Sequence, residues 1–180
     1  KDAAIAINDG NKDICRGILL TPHVVLTAKH CVVAPTATED AQCRFPAIAS
    51  IRDLAPVTVR YVSKATSTTE LTTVVAFADA GTQSCDDDLI LLELAKGADA
   101  ASFPQTDLGP EPSVGAMVRT YGVGGPQLLD GTVRQSELVA PQNSALPPGY
   151  LLTRLPACAG DSGSAVADKS GSLVGIIAAM

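Results

Sequence analysis

The chain reads as an all-β protein built in two halves, and three observations carry that reading. Apolar runs of four to eight residues recur along its whole length, each bounded by Gly, Pro, Asn or Asp, which is the signature of short strands and turns. Aromatic residues make up only 3% and Trp is absent, so the core must come from Val, Leu, Ile and Ala, and the branched side chains among these favour a pleated surface. Finally, Lys96–Gly115 holds three prolines, three glycines and little periodicity, as a linker does. The expected division is residues 1–95, a linker over 96–113, and residues 114–180.

In chain order, the runs predict strands over Ile14–Leu20, Val24–Ala28, Val57–Val62, Leu71–Phe77 and Leu89–Leu94 in the first half. In the second they predict Ala116–Tyr121, Val133–Val139, Tyr150–Leu155, Ser164–Ala167 and Leu173–Ala178. Val32–Ala34 and Asp53–Ala55 suit short helical turns. No internal repeat or low-complexity tract interrupts the pattern.

Composition excludes several function classes. The net charge is −6 with no Lys/Arg block, so the electrostatic footprint of a nucleic-acid binder is missing. No apolar run approaches the roughly 18–20 residues of a membrane span, and Lys1 does not open a basic-then-apolar signal peptide, so any such segment is expected to lie outside this chain. The cysteines Cys15, Cys31, Cys43, Cys85 and Cys158 include no C-x-x-C pair, and only two histidines accompany them. A structural metal site is therefore not expected, nor any cofactor. Widely spaced cysteines in an acidic, Lys-poor chain fit an oxidising compartment, hence secretion, and the odd count leaves one thiol over.

Three short motifs stand in order: Leu26-Thr27-Ala28-Lys29-His30-Cys31, then Asp88-Leu89-Ile90-Leu91-Leu92-Glu93-Leu94, then Cys158-Ala159-Gly160-Asp161-Ser162-Gly163-Ser164. Each alone has a plain explanation. A single His is usually a surface or structural residue, an Asp before an apolar strand is a turn residue, and Gly-Asp-Ser-Gly makes a tight turn. Together, in the order His, Asp, Ser, they resemble the signature segments of the chymotrypsin/trypsin-like serine proteases, and the likeness runs from Ile14 to Ala179.

The resemblance implies two antiparallel β-barrels with the active site in the cleft between them, since His30 and Asp88 stand in the first half and Ser162 in the second. A serine hydroxyl is a poor nucleophile at neutral pH and needs an adjacent base. By the resemblance Ser162 attacks, His30 takes its proton, Asp88 orients the imidazole and stabilises its cation, and the N–H groups of Gly160 and Ser162 form the oxyanion hole. Asp88 is preferred to Asp86 and Asp87 because it directly precedes the apolar strand. The family spacing implies a Cys15–Cys31 disulfide. Cys43–Cys85 follows by elimination, as both lie in the first half. His23, in Thr21-Pro22-His23, reads as a turn residue, and Lys29 as solvent-facing.

Against the family pattern, the chain opens Lys1-Asp2-Ala3-Ala4 instead of with the apolar N-terminus that pairs with the Asp before the nucleophile. Asp161 therefore calls for another cation, for which Arg119 is the candidate, or else residues before Lys1 are missing. The family's last strand and terminal helix, with the usual partner of Cys158, are expected to be missing, so that Cys158 is expected to be free or bonded to a segment outside this chain. Ala178 replaces a serine that supports the buried Asp, and Ser164 a common glycine. The pocket floor, six positions before Ser162, is Pro156, followed by Ala157, with Ala178, Ala179 and Met180 toward the walls. An uncharged floor implies polypeptide substrates cut after small or medium uncharged side chains. The alternative is a non-catalytic homologue that binds or regulates a partner.

Overall fold

The computed structural model describes residues 4–37, 43–62, 69–79, 87–98, 107–120, 134–139, 152–153 and 160–178. Thirteen strands run in chain order among them: β1 (Ala4–Asn8), β2 (Asp13–Thr21), β3 (Val24–Ala28), β4 (Thr36–Ala37), β5 (Cys43–Arg44), β6 (Thr58–Val62), β7 (Thr69–Asp79), β8 (Leu89–Leu94), β9 (Met117–Thr120), β10 (Arg134–Val139), β11 (Leu152–Thr153), β12 (Ala165–Ala167) and β13 (Leu173–Ile176). The fold is all-β, with an antiparallel six-stranded barrel closed in the order β1-β2-β3-β8-β7-β6 and a second antiparallel sheet ordered β11-β10-β9-β12-β13. β4 and β5 form a small separate ribbon.

Alternation writes the barrel. In β8, Ile90, Leu92 and Leu94 are buried while Leu89 and Glu93 are exposed, the period-two pattern that sends successive side chains to opposite faces. Ile5 and Ile7 of β1, Leu19 of β2, Val25 of β3 and Val59 of β6 meet them in one apolar core, which Phe45, Val32 and Val33 extend. Val118, Leu138 and Val166 make the second core. The segment between the halves is tied to β13: Gly109 N–H donates to Leu173 O at 2.8 Å, and Leu173 N–H to Asp107 O at 2.8 Å.

Some local expectations needed correction. β1 was not foreseen. The two helical turns lie slightly earlier than expected, as 3-10 turns at Lys29–Cys31 and Ile51–Asp53. The second starts where it does because Ser50 caps it: Ser50 Oγ accepts from Arg52 N–H, and the Asp53 carboxylate accepts from Ser50 N–H at 2.7 Å. That reciprocal box satisfies amides a helix start leaves open.

Candidate active site

The β3–β8 ladder brings His30 to Asp88. Ala28 stands opposite Leu89, and the pairing continues one step further as Lys29 N–H donates to Asp88 O at 3.1 Å. His30 then meets the Asp88 side chain twice. Its backbone N–H donates to Oδ1 at 2.8 Å, and its ring Nδ1 lies 2.6 Å from Oδ2. Asp88 is 2% exposed. A carboxylate only accepts, so the ring proton belongs on Nδ1, leaving Nε2 with a lone pair.

The His30 turn is fixed from its other side by the Cys15–Cys31 disulfide, which joins β2 to the residue after His30. Cys15, His30 and Cys31 keep their potential metal-ligating atoms within 4.8 Å of one another. Both sulfurs are spent in the disulfide, so this trio is not a ligand set.

Ser162 comes from the second half and is held on the same strand. Arg16, the residue after Cys15, donates its backbone N–H to Ser162 O at 2.7 Å. The turn carrying Ser162 is closed by Ser164 N–H to Asp161 O at 2.9 Å, and braced by Gly163 N–H to Ile177 O at 2.7 Å. Gly160 and Gly163 have φ of 94° and 82°, a region that favours glycine. At Gly163 space is decisive too, since a Cβ there would overlap the Arg16 carbonyl oxygen. That oxygen already accepts from Thr27 Oγ1 at 2.6 Å. Asp161, Ser162 and Ser164 are all buried.

Two buried cations flank these residues; one departs from the sequence reading and the other was not singled out by it. Lys29 is not solvent-facing: it is 1% exposed, its Nζ lies 2.7 Å from Asp79 Oδ2, and it sits 5.1 Å over the Phe45 ring. The partner fifty residues away made the charge buriable, and nothing next to Lys29 in the chain announced it. Arg16 is likewise 1% exposed. Burial lowers its pKa, Asp13 opposes that most, Arg60 adds to it, and Asp161 opposes it. The signal that marks Arg16 was its place inside the apolar run Ile14–Leu20, where a charge needs a reason.

Of the remaining candidates, Ala178 is partly buried, directly after Ile177, whose backbone is bonded to the Ser162 turn. Arg119 lies in β9 opposite Gln135 and Ala167. His23 is exposed in the β2–β3 turn, its N–H bonded to Thr21 Oγ1. Asp87 is partly buried. Asp86, Cys85, Pro156, Ala157, Cys158, Ala179, Met180 and the side chain of Cys43 lie outside the described residues. Among the described residues, no helix is long and apolar enough to cross a membrane.

Solved structures with the same architecture include kallikrein-related peptidase 10 in complex with Zn2+ (18% identity, TM-score 0.68, 98% of this chain and 80% of that one). Neuropsin, a serine protease expressed in the limbic system of mouse brain, matches at 19% identity and TM-score 0.69, over 97% and 80% of the two chains. Human heparin binding protein matches at 18% and 0.68, over 98% and 79%. No curated protein sequence matches. At these identities the structural likeness speaks for the fold. The family itself is given by the sequence, which the model described as Trypsin matches over residues 2–180, so the chain belongs to the trypsin family of serine proteases.

Proposed function

We propose that the protein is a secreted serine endopeptidase that cleaves peptide bonds through an acyl-enzyme, with Ser162 as nucleophile, His30 as base and Asp88 as orienting acid. The observation that carries this is the double contact of Asp88 with His30, at 2.8 Å to the backbone N–H and 2.6 Å to Nδ1. It engages Nδ1 and leaves Nε2 as the ring atom that can take a proton, as proton abstraction from a serine requires. Ser162 is carried by a turn bonded to Arg16, and Arg16 follows the cysteine joined to the residue after His30.

His30 would pass the serine's proton to the leaving amine and then activate water to release the acyl group. The N–H groups of Gly160 and Ser162 would hold the developing oxyanion, where one such donor is worth roughly 10²–10³ in rate. Pro156, which the family resemblance assigns to the pocket floor, would favour small or medium uncharged side chains at the cleaved position. The Cys15–Cys31 disulfide supports an oxidising, extracellular setting.

The test is fluorophosphonate labelling, which requires an activated serine. Wild type should label at Ser162 and Ser162→Ala should not, while both give the same unfolding midpoint. An unlabelled wild type with an intact fold would instead indicate a non-catalytic homologue that binds a partner.

A further inference from the structure

We infer that Lys29 is a positioning residue for His30: its buried ion pair with Asp79 holds the turn that sets the imidazole on Asp88. The inference rests on reading His30 as the base and says what keeps it in place.

The turn Lys29–Cys31 begins without a side-chain cap. Its N-cap is Ala28, which has no polar atom to offer the open amides. The other 3-10 turn, Ile51–Asp53, is closed by the reciprocal box of Ser50 and Asp53. A single short turn makes few bonds of its own, so the His30 turn is held by its neighbours. Cys31, after the histidine, is tied to β2 through Cys15. Lys29, before it, is tied to β7 through Asp79, with Nζ 2.7 Å from Oδ2. His30 stands between these two fixed points.

Barrel topology shows what the ion pair spans. β8 lies between β3 and β7. Lys29 follows the last residue of β3, Asp79 is the last residue of β7, and Asp88 directly precedes β8. In the ladders Thr27 stands opposite Ile90, and Ile90 opposite Asp79. The pair therefore joins the two outer strands across the entry to the middle one, where Asp88 sits. Two acids from adjacent strands thus hold two consecutive residues. Asp79 takes the Lys29 side chain, while Asp88 takes the His30 backbone and ring at 2.8 and 2.6 Å. The Lys29 backbone completes the hold: its N–H donates to Asp88 O at 3.1 Å, and its carbonyl accepts from Val32 and Val33 N–H at 3.0 and 2.9 Å.

Burial stiffens the strut. The Lys29 and Asp79 side chains are 1% and 11% exposed, and the ammonium lies 5.1 Å from the ring centroid of Phe45, a core residue. Little solvent screens such a pair, and removing one partner of a buried pair is costly. The turn cannot shift without disturbing it.

The experiment compares wild type, Lys29→Met, Asp79→Asn and the double variant by kcat and KM on one peptide, ring-nitrogen NMR of His30, and urea midpoints, with rates taken where each protein is folded. Lys29→Met should lower kcat about 100-fold, as a misplacement of about 1 Å does, with KM within about threefold of wild type. The His30 proton, fixed on Nδ1 in wild type, should divide between the two ring nitrogens. Asp79→Asn should lower kcat about tenfold, and the double variant should recover at least about tenfold of the Lys29→Met loss, the non-additivity of charges in contact. A normal kcat with a lowered midpoint would make the pair a stability element alone and overturn the inference, as would a double variant equal to the product of the singles. If Lys29→Met does not fold, Asp79→Asn decides, a normal kcat with the proton still on Nδ1 overturning the inference. If wild type itself never turns over, the triad reading is what has failed. The spectra then decide the positioning role, a divided proton in the variants supporting it and an Nδ1 proton throughout overturning it.

Discussion

Replacing Asp88 with Asn tests the His–Asp arrangement at its most specific point. The carboxylate takes two hydrogen bonds from one residue, from the His30 backbone N–H at 2.8 Å and from the ring at 2.6 Å. Asn offers one accepting oxygen and one donating amine. The backbone N–H can only donate, so the oxygen stays with it and the amine faces Nδ1. The ring must then accept at Nδ1 and carry its proton on Nε2, the atom that has to receive a proton from Ser162. Shape hardly changes while the tautomer and the stabilising charge are both lost. The expected fall in kcat is roughly 10⁴-fold, which corresponds to about 5 kcal/mol of transition-state stabilisation. Turnover of a peptide with a small apolar residue at the cleaved position reads the effect, with Asp87→Asn measured beside it and ring nitrogen NMR reporting the tautomer. An Asp88→Asn enzyme within tenfold of wild type would refute the reasoning. A crippled Asp87→Asn beside a nearly normal Asp88→Asn would move the acid by one residue.

Gly163→Ala should abolish labelling of Ser162, since the new methyl overlaps the Arg16 carbonyl at a φ of 82° and must push the turn off β2; labelling within threefold of wild type would contradict this. Lys29→Met should lower stability by about 3 kcal/mol in urea unfolding, because it breaks the buried ion pair with Asp79, and adding Asp79→Asn should recover part of it. Acid should weaken the barrel through Asp13. Burial alone would raise that carboxyl, but the Arg60 and Asn8 hydrogen bonds and the charges of Arg60 and Arg16 bring it below its ordinary 3.8. Its contribution is therefore full above that value and disappears as pH falls through the depressed one. Urea midpoints against pH should show a shallower acid-side decline in Asp13→Asn.

What the sequence made legible was local. Val24–Ala28 and Leu89–Leu94 were expected as strands with the limits they have, because a half-buried strand prints its alternation in consecutive residues. β1 escaped because its run, Ala-Ile-Ala-Ile-Asn, is short and has alanine at two of its five positions, and only pairing with β2 and β6 makes it a strand. The His30–Asp88 contact was foreseeable from the motifs. The buried cations were not: Lys29 is defined by Asp79, and Arg16 lies on the strand whose backbone meets a turn well over a hundred residues later. Such tertiary charge pairing leaves no periodicity to read.

A closed barrel has no unpaired edge, since β1 and β6 complete the ring. Its backbone donors and acceptors are consumed, so no visiting chain can join it as an extra strand. Apart from the short β4–β5 ribbon, the strand edges open to an extended polypeptide among the described residues are β11 and β13 of the other sheet. The two halves are thus unequal in what they offer a visitor: one is a sealed frame for a histidine and an aspartate, the other a sheet with margins on which a chain can be laid out.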